Sequence, residues 1–217
     1  MNRAVVRSEI FSKDEDYSAF EEILAEMQLR IPIRILGWCL MPNHWHLVVW
    51  PEEGAQVSEF LRLVTGTHVQ RWHAAHGTQG TGALYQGRFK ACAVENGRYL
   101  RTVLRYVERN PLRANLVERA ESWPWSSLGP RLGQPAPSEA LRPRLTPSPA
   151  PLADPWLEYV QKPLTDREYA KQELSRLRRS VETGLPFGSD TFLNATLTLL
   201  GLESLLAPRG RPRKEEK

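Results

Sequence analysis

The sequence predicts an α+β domain in which helices pack on one antiparallel sheet, followed by a helical appendage and a basic tail. Two observations carry this prediction. Through residue 125 or so, segments with apolar residues at helical spacing interleave with short strand-like runs bounded by turn residues. Beyond that point proline is dense between 130 and 155, and helical periodicity returns only after 164.

The elements follow in order. Residues 14–30 (DEDYSAFEEILAEMQLR) place Phe20, Ile23, Leu24 and Met27 on one helical face. Residues 33–40 (IRILGWCL) are strand-like, Met41-Pro42-Asn43 breaks the run, and 44–50 (HWHLVVW) resumes it up to Pro51. So short a link between two strands predicts a hairpin. Residues 58–76 carry a helical stripe at Phe60, Leu61, Val64 and Val69, and 77–82 is a loop by composition. A short strand is expected at 89–94, and a helix over 98–110, interrupted at Pro111. Trp123-Pro124-Trp125-Ser126-Ser127 closes the region. The expected division is a sheet domain over 1–128, a proline-rich linker over 129–163, helices within 164–207 (166–182 and another after Ser189), and a basic tail over 208–217.

Composition narrows the class. The 217 residues are 41% hydrophobic and 25% charged, as in an ordinary soluble protein. There is no run of 18 apolar residues and no signal-peptide apolar region near the start, so no membrane partner is expected. Cys39 and Cys92 make neither a disulfide framework nor a CxxC site, which points to a reducing cytoplasm. Of the formal net charge of +4, three units sit in the last ten residues: Arg209, Arg211, Arg213, Lys214 and Lys217 against Glu215 and Glu216. Such a tail is either a solvated end or the footprint of a polyanion partner, usually nucleic acid.

Two stretches carry chemistry. In MPNHWHLVVW (41–50), strand alternation puts His44 and His46 on one face and Trp45 on the other. Two imidazoles on one strand face can ligate one metal ion, or be two half-buried histidines without a ligand. His73 and His76 are a second pair at helical spacing, but they fall at a polar helix end and are read as solvated. In LRYVERNPLRANLV (104–117), Tyr106 and Asn110 are i, i+4 neighbours if the helix holds, with Arg105, Arg109 and Arg113 in a row beside them. A tyrosine flanked by arginines suits attack on a phosphate. The plainer readings are a half-buried helix tyrosine, and an asparagine that only caps a helix starting at Pro111.

Together these stretches resemble the single-tyrosine HUH transposases, and most closely the REP-associated tyrosine transposases. The resemblance rests on His44-Trp45-His46, on Gln86 to Lys90 (QGRFK), and on Tyr106, Asn110, Pro111, Arg113, Ala114, Leu116 and Val117. The segments WPWSS (123–127), GLPFGS (184–189) and PRGRPRK (208–214) extend it over nearly the whole chain. It implies a ferredoxin-like fold and metal-assisted transesterification of single-stranded or hairpin DNA. Tyr106 would be the nucleophile, giving a 5′-phosphotyrosine link and a free 3′-OH. His44, His46 and Asn110 would hold a divalent ion, Mg²⁺ or Mn²⁺; imidazoles plus an amide oxygen suit Mn²⁺ at least as well. A stored phosphotyrosine bond fits the lack of a GxxxxGKS phosphate loop. Arg88 and Lys90 become DNA contacts, or else a charged strand edge, and the row Arg105, Arg109 and Arg113 joins them. Tyr85 is read as structural or base-stacking. Arg209-Gly210-Arg211-Pro212, with Arg213 and Lys214, is similar to an AT-hook core for A·T-rich minor grooves, or a nonspecific phosphate grip. The resemblance also places the protein at the nucleoid.

One departure stands out. Family members begin with a strand containing Tyr-His-Val-x-x-Arg, whereas this chain starts at Met1-Asn2-Arg3. The central first strand is therefore expected to be truncated, by a misassigned start, a degraded copy or a replacement segment. The rival functions are a catalytically silent, truncated binder of hairpin DNA and, more distantly, a metal hydrolase using water as nucleophile.

Overall fold

The computed structural model describes residues 1–135, 141–162 and 168–206. Its centre is the antiparallel hairpin of β2 (Arg34–Met41) and β3 (His44–Trp50), joined at Pro42-Asn43. A two-residue strand, β1 (Asn2–Arg3), lies on the far side of β3, opposite Trp45 and His44, giving the order β1-β3-β2. The segment 84–90 then runs beside the N-terminal residues. Val5 donates its N–H to the Leu84 carbonyl, Gln86 to Arg3 and Lys90 to Met1. The spatial order is therefore 84–90, β1, β3, β2.

Helix α1 (Asp14–Arg30) connects β1 to β2, and α2 (Gly54–His76) connects β3 to the 84–90 segment. This β-α-β-β-α-β path is the ferredoxin-like arrangement, in an α+β fold. The central position is held by Asn2 and Arg3 alone, so the first strand is short but present. The strand expected at 89–94 does not form. Pairing falls instead at 84–90, and Val94 makes an isolated bridge to Phe187.

Local chemistry accounts for the helix boundaries. The Asp16 carboxylate accepts from the Ser12 N–H and hydroxyl and from the Lys13 N–H, closing the start of α1. Helix α2 ends at Gly77, whose φ of +63° is the left-handed conformation that terminates a helix without a Cβ penalty. Helix α3 (Arg98–Glu108) gives way at Arg109 to the short α4 (Asn110–Arg113). Pro111 has no N–H to continue the ladder.

Each face of the sheet buries a core. On one face, α1 and α2 pack Phe20, Ile23, Leu24, Phe60, Leu61 and Val64 against Ile35, Trp38, Leu40 and Trp45. On the other, α3 packs Leu100, Val103, Leu104 and Val107 against Leu36, Cys39, Met41 and Val48. A register shift between Ile35 and Gly37 turns β2 toward α3 there. A Cβ on Gly37 would stand 2.9 Å from Leu104 Cδ2 and 3.1 Å from Ser127 Oγ, so a side chain there would have to displace both.

The proline-rich segment does not behave as a free linker over its described part. Leu40 donates to the Trp125 carbonyl, Ser127 to that of Trp38 and Thr146 to that of Ile35, so 125–127 and 145–146 cover the open edge of β2. Arg142 forms a two-point ion pair with buried Glu21, both contacts at 2.7 Å. After the single turn α5 (Leu128–Arg131), helix α6 (Trp156–Gln161) buries Trp156 and Val160 against α3. A second buried carboxylate, Glu108 on α3, accepts from Ser127 Oγ at 2.6 Å, Arg131 Nε at 2.9 Å and Trp156 Nε1 at 2.7 Å. Proline density here reflects an extended path over the core, held at these polar anchors. Helix α7 (Glu168–Thr183) and helix α8 (Asp190–Leu200), the latter capped by Ser189 accepting from the Phe192 N–H, match the helices expected after 164.

Candidate active site

Strand β3 turns His44 and His46 toward α3 and Trp45 into the opposite core. Trp45 is 1% exposed and donates from Nε1 to the Tyr85 hydroxyl at 3.0 Å. The Tyr85 hydroxyl is in turn hydrogen-bonded to His68 Nδ1 at 2.6 Å. Tyr85 is therefore a buried structural tyrosine, and burial pushes its hydroxyl pKa well up. The second histidine pair is engaged elsewhere. His73 bonds Thr78, while His76 bonds the Trp72 carbonyl and reaches Asp16 at 3.3 Å.

The His44 and His46 rings are 5.0 Å apart between centroids and nearly perpendicular. Tyr106, from α3, stands over them, its ring 5.7 Å from that of His46. The three share a cavity of about 480 Å³. Arg3, Arg88, Lys90, Arg113 and Arg178 also line it, against a single carboxylate, Glu182. Such a cavity attracts a phosphate. Burial lowers the His44 pKa to about 4, helped by Arg3 and Arg113, and burial takes His46 well below its ordinary value. Both rings are thus neutral near pH 7, the form that can ligate a metal.

The histidine pair fits a divalent ion; Asn110 fits less directly. Asn110 is fully buried and does not line the cavity. Its Oδ1 accepts from Arg113 Nη2 at 2.8 Å, and its Nδ2 has no hydrogen-bond partner among the described residues. No cluster of three His, Cys, Asp or Glu side chains able to hold a metal occurs among the described residues.

The arginine row divides. Arg113 faces the cavity, its guanidinium 5.3 Å from the Tyr106 ring centre. Arg105 donates to the Lys162 carbonyl at 2.6 Å and stacks on Tyr159. Arg109 donates to the Val160 carbonyl at 2.7 Å and to that of Gln161. Arg105 and Arg109 thus satisfy carbonyls at the C-terminal end of α6, and neither lines the cavity. Arg209, Arg211, Arg213 and Lys214 lie outside the described residues. Sequence reasoning missed Arg3, whose place opposite His44 depends on pairing of a two-residue strand, and Arg178 and Glu182, brought in by α7.

No helix among the described residues is long and apolar enough to cross a membrane. No curated protein matches the chain. Among solved structures, a REP-associated tyrosine transposase bound to a REP hairpin is 20% identical, with a TM-score of 0.49, over 70% of this chain and 87% of that one. The model of the IS200-like transposases matches residues 1–110, a span that contains the histidine pair, Tyr106 and Asn110. By that match over half of its length, the chain belongs to the IS200-like transposase family.

Proposed function

We propose that the protein cleaves and rejoins single-stranded or hairpin DNA, REP-like in form, through a covalent tyrosine intermediate. The observation that carries this is the meeting of Tyr106 with His44 and His46 in one cationic cavity. A divalent ion, Mn²⁺ or Mg²⁺, held by the two imidazoles would polarise the scissile phosphate.

The chain's own groups supply the rest. Arg113, Arg88, Lys90 and Arg3 draw the phosphodiester into the cavity and hold its oxygens. Tyr106 Oη loses its proton to solvent and attacks phosphorus. The Oη–P bond forms as the bond from phosphorus to the 3′ oxygen breaks, and that oxygen takes a proton from solvent and leaves as a 3′-OH. The reverse step, with another 3′-OH as nucleophile, rejoins DNA and frees Tyr106. Asn110, whose Oδ1 accepts from Arg113, would be the candidate third ligand. Arg105 and Arg109 are assigned to holding α6, not to DNA. The tail is proposed to add a grip on A·T-rich duplex.

The test is a denaturing gel with labelled hairpin DNA and Mn²⁺. A protein-linked band is expected from the unaltered chain and not from Tyr106→Phe. Folded protein that binds hairpins without forming the band would instead establish the silent DNA-binding reading. Cleavage that survives Tyr106→Phe would establish water as nucleophile.

A further inference from the structure

We infer that Asn43 is a positioning residue that sets His44 in its Nδ1–H tautomer and so aims the bare Nε2 nitrogen at the site. The inference extends the metal reading above, but its geometric basis is independent of any metal.

The Asn43 side chain contacts two groups: its Nδ2 lies 3.3 Å from the Arg7 carbonyl oxygen, and its Oδ1 lies 2.7 Å from His44 Nδ1. A carbonyl oxygen can only accept, so the amide must present its NH₂ to Arg7. That settles which end of the amide faces His44: an oxygen, which also can only accept. Two acceptors at 2.7 Å would repel, so His44 Nδ1 carries the proton. In a neutral imidazole the other nitrogen then holds the lone pair. Free histidine in water prefers the opposite tautomer, with hydrogen on Nε2. The form inferred here is therefore imposed by the protein, and it is diagnostic.

The carbonyl that starts the chain is itself held in place at a cost. Val6 and Arg7 have φ of +52° and +58°, a left-handed pair without glycine. For β-branched Val6 this is strained, and such conformations persist only where the surroundings over-determine them. Here they do. Val5 donates to Leu84, Arg7 donates to Ala4, and Ser8 donates to the Val5 carbonyl from both its N–H and its hydroxyl. On the other side, the Asn43 carbonyl accepts from Ala4, and the Pro42 carbonyl accepts from Ile10 and Phe11. The turn at 5–8 and the hairpin turn at 42–43 are thus locked together. The Arg7 carbonyl, the Asn43 amide and the His44 ring form one line leading into the cavity.

The experiment uses the full chain without metal. The ring nitrogens of His44 are observed by ¹⁵N NMR, assigned with His44→Gln. The expected result is a protonated Nδ1 and a bare Nε2 in the unaltered protein and in Asn43→Asp, which keeps an acceptor. In Asn43→Leu, which has none, the tautomer should move to Nε2–H or become a mixture. An Nε2–H form in the unaltered protein, or an unchanged Nδ1–H form in Asn43→Leu, overturns the assignment. If Asn43→Leu does not fold, the unaltered chain and Asn43→Asp still decide it.

Calorimetric titration with Mn²⁺ alone then reads the consequence. Asn43→Leu should bind about 10- to 100-fold more weakly, the usual effect of losing an outer partner of a ligating histidine, and Asn43→Asp should bind within a few-fold of the unaltered chain. Equal affinity in all three overturns the positioning role. An unaltered chain that takes up no Mn²⁺ yet shows the Nδ1–H form sinks the metal reading while supporting the tautomer assignment.

Discussion

Replacing Glu108 with alanine should destabilise the packing that positions the site. Glu108 is fully buried two residues beyond Tyr106 on α3, and three donors converge on it: the Ser127 hydroxyl, Arg131 Nε and Trp156 Nε1. Removal strands each differently. Ser127 and Trp156 are left with buried donors, about 1–3 kcal/mol apiece. Arg131, whose side chain is 9% exposed, keeps its bond to the Leu36 carbonyl but loses its counter-charge. Breaking one side of a buried pair costs about 3–5 kcal/mol. These costs overlap because the groups form one network, so the total should be about 3–5 kcal/mol rather than their sum. A domain of this size has about 5–15 kcal/mol in all. Glu108→Gln keeps one acceptor but turns an amide N–H₂ toward a donor, and should cost about 2 kcal/mol. The assay is urea unfolding at pH 7 followed by circular dichroism. A loss below about 1 kcal/mol for Glu108→Ala would refute the view that this carboxylate ties α3 to α6 and to residues 127–131.

Other expectations test separate parts of the account. His68 is buried and its pKa is lowered to about 3, first by desolvation, against a partly offsetting Asp16. The unfolded chain therefore binds that proton first, and stability falls as pH drops from about 6.5 toward 3. The slope is at most one proton, about 1.4 kcal/mol per pH unit, so about 2 kcal/mol is lost between pH 6.5 and 5. Urea midpoints across that range should be flatter in His68→Gln, and equal slopes would contradict the assignment. Val6→Asn, at an 87% exposed position with φ of +52°, should raise stability by about 1 kcal/mol. An unchanged unfolding midpoint would mean the turn carries no strain there. Arg113→Ala should weaken binding of single-stranded DNA and lower the salt slope by about 0.7, whereas Arg109→Ala should lower stability and leave the slope intact. Fluorescence anisotropy at several salt concentrations separates the two, and a reversed pattern would contradict the division of the arginine row.

What was legible in the sequence was what a local pattern encodes. The helix over 14–30 and the strand over 44–50 fall as the apolar spacing requires, since both contribute an apolar face to the same core. Alternation alone assigned His44 and His46 to one face and Trp45 to the other. The strand beside Arg3 was not legible, because two residues have no period and 84–90 pairs without regular strand geometry. Nor was the fate of Arg105 and Arg109, whose carbonyl partners lie more than fifty residues further along the chain. Glu108 carries no sequence signal as an anchor, because Arg131 and Trp156 converge on it only through the fold. Asn110 was expected to share a helix face with Tyr106, but α3 ends at Glu108, Asn110 lies buried outside the cavity, and no spacing rule shows that its oxygen is turned to Arg113.

The most direct test of the central claim is to find the atom that DNA is joined to. The chain is incubated with hairpin DNA and Mn²⁺, denatured, treated with nuclease and trypsin, and analysed by mass spectrometry. Cleavage after Arg105 and Arg109 isolates Tyr106 as the one tyrosine of the peptide 106–109. The account predicts the mass of that peptide increased by a 5′-linked nucleotide. A nucleotide on any other peptide, or a folded, DNA-binding protein whose peptide 106–109 stays unmodified throughout, would contradict it.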